Sequence, residues 1–363
     1  MHAPLNFIYQ GAPARVVFGR GSLSTLAEEL DRLGVRQALV LTTPGQRAVG
    51  EQVAAPLGDR AVGVFDRAVM HVPIEVAREA VAHARSVGAD GLVAVGGGST
   101  IGLGKAIALE HTLPIVAVPT TFAGSEMTPI YGITEGGLKK TGRDARVLPR
   151  TVLYDATLVR TLPAAVCVTS GFNAIAHAAE ALYAHDGNPI VSMFAEEGLR
   201  AMAQAIRGLR PGSEGDGDAA REQGQYGAWL CGTVLGAAAM GLHHKLCHTL
   251  GGSFNLPHAE THTVMLPHTL AYNAAHAPEA MSRAARALGL SDAGSVAVPA
   301  ALFKLMQESG APLSLQSLGM PAEGLDRVAE LAVLSPYPNP RPLERTALRE
   351  MLQRAHDGVP PVP

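Results

Sequence analysis

The sequence predicts an α/β domain with a parallel sheet, followed by an all-helical domain, and three observations predict it. Short apolar runs such as Ala38–Leu41 and Ala61–Phe65 alternate with helix-patterned stretches over the first half of the chain. One of these runs, Val93-Ala94-Val95, passes directly into the glycine turn Gly96-Gly97-Gly98. From Pro163 onward, alternating runs give way to Ala- and Leu-rich stretches with helical spacing. Strand and helix in repeated alternation imply parallel strands with helices on both faces, whereas helical periodicity alone implies helices packed on helices.

In chain order, Phe7 and Tyr9 followed by Val16, Val17 and Phe18, with Gly11 and Pro13 between, predict a short strand pair. Ser22 is placed to cap a helix whose Leu23, Leu26, Leu30 and Leu33 form one stripe, and Gly34 ends it. Ala38–Leu41 reads as a strand buried on both faces, followed by a loop at 42–45. The unit then repeats: strand Ala61–Phe65, helix 74–87, strand 92–95, helix from Ser99, strand 115–118, and a last strand Thr151–Tyr154. The later helices are broken at 188–189, 211–217, 310–312 and 336–342, where Pro, Gly and Asn collect. The expected division is residues 1–160 as the α/β domain and 161–363 as the helical one.

Composition excludes several classes. Of 363 residues, 47% are hydrophobic and 17% charged, which is incompatible with a disordered chain. With 29 Lys and Arg against 32 Asp and Glu, there is no positive field to draw in a phosphate backbone, so nucleic acid is not an expected partner. Three cysteines, Cys167, Cys231 and Cys247, show no paired metal-type spacing and suit a reducing cytoplasm. No basic segment followed by a continuous apolar stretch opens the sequence, and the apolar stretch 228–242 is too rich in Ala and Gly for a bilayer span. The expectation is a soluble cytoplasmic protein that does not engage a membrane.

Two regions carry candidate chemistry. The run Gly96-Gly97-Gly98-Ser99 between a strand and a helix lets backbone approach a diphosphate, whose charge is favoured by unpaired N–H groups and the positive end of the helix dipole. Pro119-Thr120-Thr121 and Gly124-Ser125 put hydroxyls at the end of the next strand, where ligands of such sheets sit. The first domain is therefore read as dinucleotide-binding. The strand 38–41 ends in Thr42 and Thr43, with neither an acid to repel a 2'-phosphate nor an arginine to favour one, so use of both NADH and NADPH is expected. In the second domain Asn173 and His177 share a helix face, as do His244 and His248, and His258 follows a turn. Grouped at one-turn spacing among small apolar residues, they read as a site.

With these motifs the chain resembles the iron-containing alcohol dehydrogenase superfamily. The shared pattern is the Gly-Gly-Gly-Ser turn at 96–99, Pro119-Thr120-Thr121, Asn173 to His177 in place of an Asp-x-x-x-His pair, His244-x-x-x-His248-x-Leu250-Gly251-Gly252, and Pro257-His258. It extends over essentially the whole chain. The opening FIYQGAPARVVFGRG, the stretch GRDARVLPRTVLYD at 142–155 and the ending NPRPLERTALREML from 339 resemble a reductase subgroup. The resemblance implies a dehydroquinate synthase-like fold with a Rossmann-like sheet, and a homodimer to which an apolar strand at 7–18 is suited. It implies NADH- or NADPH-dependent reduction of the C=C bond of maleylacetate to 3-oxoadipate, a step in breakdown of aromatic and chloroaromatic compounds.

Residue by residue, the resemblance places Thr42, Thr43, Gly97, Gly98, Ser99, Thr120, Thr121, Ser125 and Thr128 on the nucleotide. It places Lys139, in a loop of different length where Lys140 competes for the register, near its ribose. His248 falls at the position beside the nicotinamide and is the expected proton donor, with His244 and His258 as hydrogen-bond donors to an enolate oxygen. Lys245 and Arg143 are the cations expected to face the ends of the dicarboxylate substrate. Where metal-dependent members have an aspartate, this chain has Asn173. Three neutral imidazoles and a neutral amide offer no compensating charge, so the expectation is that no metal is required, with His177, His244 and His258 a vestigial site. The alternatives are a metal-dependent alcohol or polyol dehydrogenase, a lyase resembling dehydroquinate synthase, and a non-catalytic nucleotide-binding redox sensor.

Overall fold

The computed structural model describes every residue except 1–6, 8, 10, 13, 137, 214–216, 291–296, 335–336 and 363, and omits the side chains of 138–139. The chain forms two compact units, residues 13–167 with 216–225, and residues 168–215 with 226–363 joined by the opening segment.

The first unit is built on a parallel sheet of six strands. These are β1 (Arg15–Phe18), β2 (Ala38–Leu41), β3 (Ala61–Phe65), β4 (Gly91–Gly96) and β5 (Ile115–Pro119), joined by Thr151–Tyr154 after a separate antiparallel pair, β6 (Ile130–Glu135) and β7 (Leu138–Arg143). With Thr151–Tyr154 as β8, the order across the sheet is β1-β8-β5-β4-β2-β3. Every residue of β2, β4, β5 and β8 is buried, which is why these strands read as continuous apolar runs and not as alternating ones. Between β2 and β4 the direction of winding reverses, since the chain leaves β2 for β3 on one side and β4 for β5 on the other. In open sheets of this kind, ligands bind outside the carboxyl ends of the strands at such a reversal.

Two expectations from the opening segment differ from the structure. β1 pairs in parallel with β8, from Arg15 opposite Thr151 to Phe18 opposite Tyr154, and not with the stretch around Phe7 and Tyr9, neither of which lies in a strand. Ser22 does not cap a helix; its hydroxyl donates to the Tyr154 carbonyl at 3.1 Å, and the helix proper is Leu26–Arg32. Ser22 opens a separate 3-10 turn, Ser22–Thr25, so the residue at the start of the helix is Thr25 and Ser22 stands too far back to cap it. The segment 216–225 belongs to this unit because Gln225 Nε2 reaches the carbonyls of Pro119 and Asp155, each at 3.4 Å, and Gly224 lies against the Phe122 ring.

The second unit is helical. Its principal helices are Ala164–Leu182, Pro189–Leu209, Gly217–Ala237, Leu242–Phe254, His258–Ala274, Pro278–Leu288, Val298–Glu308, Leu325–Leu334 and Arg345–Asp357, the first and third of which begin in residues of the other unit. A core of Leu242, Leu246, Leu250, Met265, Leu325, Val328, Leu348 and Leu352 holds the helices Leu242–Phe254 and His258–Ala274 in place. No helix among the described residues is long and apolar enough to cross a membrane.

His268, inside this unit and 1% exposed, gives a stability prediction. Burial, reinforced by the charge of Arg354, pushes its imidazole down from 6.5 to about 4. The unfolded chain takes up this proton as pH falls through 6.5 while the folded chain resists until about 4, so stability is lost across that window as pH falls. The loss from this residue is about 3 kcal/mol. Urea titrations of His268→Leu at neutral pH and near pH 4 should therefore show a smaller loss on acidification than wild type; equal losses would remove His268 as a cause.

Candidate active site

In the α/β unit, the loops after β2 and β4 flank the reversal point. Gly96 has φ of +154°, and a Cβ there would lie 2.4 Å from Thr100 Oγ1. At Gly97 a Cβ would lie 2.8 and 2.9 Å from the Thr121 side chain. Both positions need glycine so that the backbone can turn tightly into helix Gly98–His111 against the neighbouring strand end. Thr42 and Thr43 follow β2, and Gln46 ties that loop to the β5 end by donating from Nε2 to Thr120 Oγ1 at 3.0 Å. Thr42, Thr43, Gly97, Gly98, Ser99, Thr120 and Thr121 are thus gathered at the carboxyl edge of three adjacent strands.

Ser125 and Thr128 are tied to a buried lysine. Lys105 is fully buried, and its Nζ donates to Ser125 O and Oγ at 2.7 and 3.1 Å, to Thr128 O and Oγ1 at 2.9 and 3.0 Å, and to Ile130 O at 2.7 Å. Burial pushes this ammonium down to about 7, against the opposing charge of Glu126. Glu126 is itself fully buried, pushed up by that burial, and accepts from Tyr154 OH at 2.8 Å. Sequence reading missed Lys105, although the only charge in the apolar run Ile101-Gly102-Leu103-Gly104-Lys105-Ala106-Ile107-Ala108 was a signal. Lys139 lies on β7, but its side chain is outside the described residues; neighbouring Lys140 pairs with Glu135 at 2.6 Å. Arg143 is exposed at the end of β7, opposite Ile130.

In the helical unit, helix Ala164–Leu182 carries Asn173, His177 and Glu180. All three are buried. Asn173 Nδ2 lies 3.4 Å from His177 Nε2, and Asn173 Oδ1 is buried without a partner. His177 Nδ1 meets His244 Nε2 at 2.9 Å. On its other side, His244 Nδ1 donates to Glu180 Oε2 at 2.6 Å. The Glu180 carboxylate also accepts from the backbone N–H of Gly241, His243 and His244 at 3.1, 2.9 and 3.3 Å, at the positive end of helix Leu242–Phe254. Glu180 went unnoticed in the sequence, although as a lone acid one turn after His177 it shares that face.

His258 opens helix His258–Ala274, and His262 follows one turn later, its ring 4.4 Å from that of His258 and 4.8 Å from that of His244. His248 is exposed, with its ring stacked over His258 at 6.3 Å and edge-on to His244 at 6.2 Å. A second group, His243, Cys247 and His262, brings ligand atoms within 4.8 Å of one another. Burial holds the His243 and His262 rings well below 6.5, and raises the Cys247 thiol. Asn173, His177, His244, His248 and His258 lie in one group of side chains, with Glu180, His243 and His262 around them. Lys245 is exposed, with its ammonium 5.9 Å from the Tyr337 ring centre.

A match of residues 13–156 to the iron-containing alcohol dehydrogenases, continued over 167–356 by the C-terminal part of the same family, makes this protein an oxidoreductase. The chain belongs to the iron-containing alcohol dehydrogenase family. It is 62% identical to a maleylacetate reductase of Burkholderia cepacia over 355 residues, covering 98% of this chain and 99% of that one. With a maleylacetate reductase of Pseudomonas aeruginosa it shares 53% identity over 357 residues, 98% of this chain and 99% of the relative. The crystal structure of maleylacetate reductase from Agrobacterium tumefaciens superposes with a TM-score of 0.93 at 54% identity, covering 99% of this chain and 100% of the other.

Membership of an iron-containing family overturns the expectation that no metal is required. The donors present fit a divalent ion. Imidazole nitrogens of His177 and His244 face each other at 2.9 Å, and the carbonyl oxygen of Asn173 is buried without a partner beside them. Glu180 stands one hydrogen bond behind His244, and a carboxylate so placed fixes the ring and raises its basicity as a ligand.

Proposed function

We propose that this protein reduces the C=C bond of maleylacetate to 3-oxoadipate with a reduced nicotinamide nucleotide. Full-length likeness at 62% identity to a maleylacetate reductase carries this reading. The nucleotide diphosphate sits on the turn Gly97, Gly98 and Ser99 at the start of helix Gly98–His111, with Thr42, Thr43, Thr120 and Thr121 around it, all within the domain 1–160. The remaining chemistry belongs to the domain 161–363.

Hydride addition at the carbon β to the ketone leaves an enolate, and the α carbon then takes a proton, so NAD(P)H and one proton are consumed per substrate. His248, exposed at the face of the histidine group, is the proton donor. His177, His244 and His258, with Asn173 Oδ1, are the residues that would hold the family's divalent ion, which when bound supplies a Lewis acid for the ketone oxygen. Glu180 keeps the His244 ring in its tautomer through the bond at 2.6 Å. Lys139 contacts the ribose, Ser125 and Thr128 shape the nucleotide loop, and Lys245 and Arg143 face the carboxylates. The protein works in the cytoplasm as a homodimer, with β1 at the edge of the six-stranded sheet as the element nearest to a sheet-to-sheet contact.

The test is consumption of reduced nicotinamide with maleylacetate by the Fe2+-loaded enzyme, alongside oxidation of 1,2-propanediol. Turnover of maleylacetate is expected; oxidation of the diol with none of maleylacetate would replace this reading with the polyol dehydrogenase one. A variant checks the nucleotide end. Because Gly97 already stands against Thr121, Gly97→Val forces the turn open, costing about 1–3 kcal/mol. As affinity that is about 5–150-fold weaker binding of the reduced nucleotide, read by its fluorescence. Unchanged binding would move the diphosphate elsewhere.

A further inference from the structure

His262 is fully buried, and one of its ring nitrogens, Nε2, has no partner. The protonation of that atom follows from its neighbours. Thr269 Oγ1 has a single hydrogen, directed at the carbonyls of Met265 and Leu266, each at 3.1 Å. Its oxygen therefore accepts from His243 Nδ1–H at 3.0 Å. His243 Nε2 then carries a lone pair and accepts from His262 Nδ1–H at 2.9 Å. With its proton committed to His243, neutral His262 presents a bare lone pair at Nε2. The shape of the ring directs it away from His243, and the rings of His258, His244 and His177 stand 4.4, 4.8 and 6.4 Å away. A buried acceptor of this kind is costly to leave unsatisfied.

We propose that His262 is a further imidazole ligand of the divalent ion, its Nε2 lone pair making up for the carboxylate that residue 173 lacks, with Thr269 and His243 as the relay that fixes its tautomer. This rests on the assignment of His177, His244 and His258 as the ion-holding set. A nitrogen-rich set built this way favours a borderline ion over a hard one such as Mg2+. It also gives His243 a role unlike that of a packing residue, because its hydrogen bond decides which His262 nitrogen is available.

The test uses the Co2+-substituted full-length protein, whose visible absorption reports the ligand set without any substrate. Outer-shell partners alone change metal affinity by about 10–100-fold, so His262→Ala should weaken Co2+ binding at least about tenfold and shift the absorption bands. His262→Gln, which keeps volume and a donor toward His243, guards against a simple folding defect and should show the same shift. Adding Asn173→Asp to His262→Ala should restore tight binding. Unchanged affinity and spectrum in both His262 variants would overturn the proposal. So would an intense near-ultraviolet thiolate band in wild type, since it would seat the ion on Cys247 with His243. Because no maleylacetate enters these measurements, their failure is separable from failure of the proposed reaction.

Discussion

Replacing Glu180 with leucine should destabilise the folded protein by about 3–5 kcal/mol, the range for removing one partner of a buried charged network. The carboxylate is 0% exposed and accepts the His244 ring N–H and three backbone N–H groups where helix Leu242–Phe254 begins. A leucine of similar volume leaves those donors buried with nothing to accept them. Glu180→Gln should fall between, because its carbonyl oxygen accepts from the backbone while its amide cannot accept from His244. Urea unfolding of both variants is the measurement. Wild-type stability in Glu180→Leu would mean that the helix start finds its partners elsewhere, and the charge behind His244 would lose its importance.

The second large effect is on turnover. His248→Gln should lower kcat by about 10²–10⁴-fold, the contribution of a positioned proton donor. Binding of the reduced nucleotide should change much less than turnover, because the glycine turn proposed to hold its diphosphate belongs to the other unit. Since the side chain is exposed, the substitution leaves no cavity and the fold should be unaffected. Steady-state kinetics with maleylacetate, together with nucleotide titration, distinguishes the outcomes. A variant with unchanged kcat would transfer the proton to His244 or His258. A wild-type protein with tight nucleotide binding and no turnover would revive the sensor reading.

The parallel strands were legible because burial on both faces makes each a short, uninterrupted apolar run. Ala38–Leu41, Ala61–Phe65 and Thr151–Tyr154 have the expected bounds, and β4 and β5 differ by a residue at their ends. The partner of β1 was not legible. Residues 15–18 pair with 151–154, and nothing local encodes a contact across so much chain, whereas Phe7 and Tyr9 offered a nearby but false one. The hairpin β6–β7 was missed because those of its side chains that are described are half-buried or exposed, and the polar run Lys139-Lys140-Thr141-Gly142-Arg143 carries no apolar pattern. At the site, one-turn spacing revealed Asn173 with His177 and His244 with His248. What it could not reveal was which side chains stand behind them. The metal expectation failed there, because a carboxamide at 173 was judged without Glu180, whose link to His244 spans 64 residues of sequence.

The ten residues from 216 to 225 have a consequence for how the gene can be divided. Gln225 reaches the carbonyls of Pro119 and Asp155, and Gly224 lies against the ring of Phe122, so a fragment truncated at the apparent boundary near residue 160 would leave those groups uncovered. The α/β half is therefore not a transplantable cassette. Shuffling between relatives has to carry that short return segment along with the sheet, or the chimaera inherits a scaffold with its keystone left in the other parent.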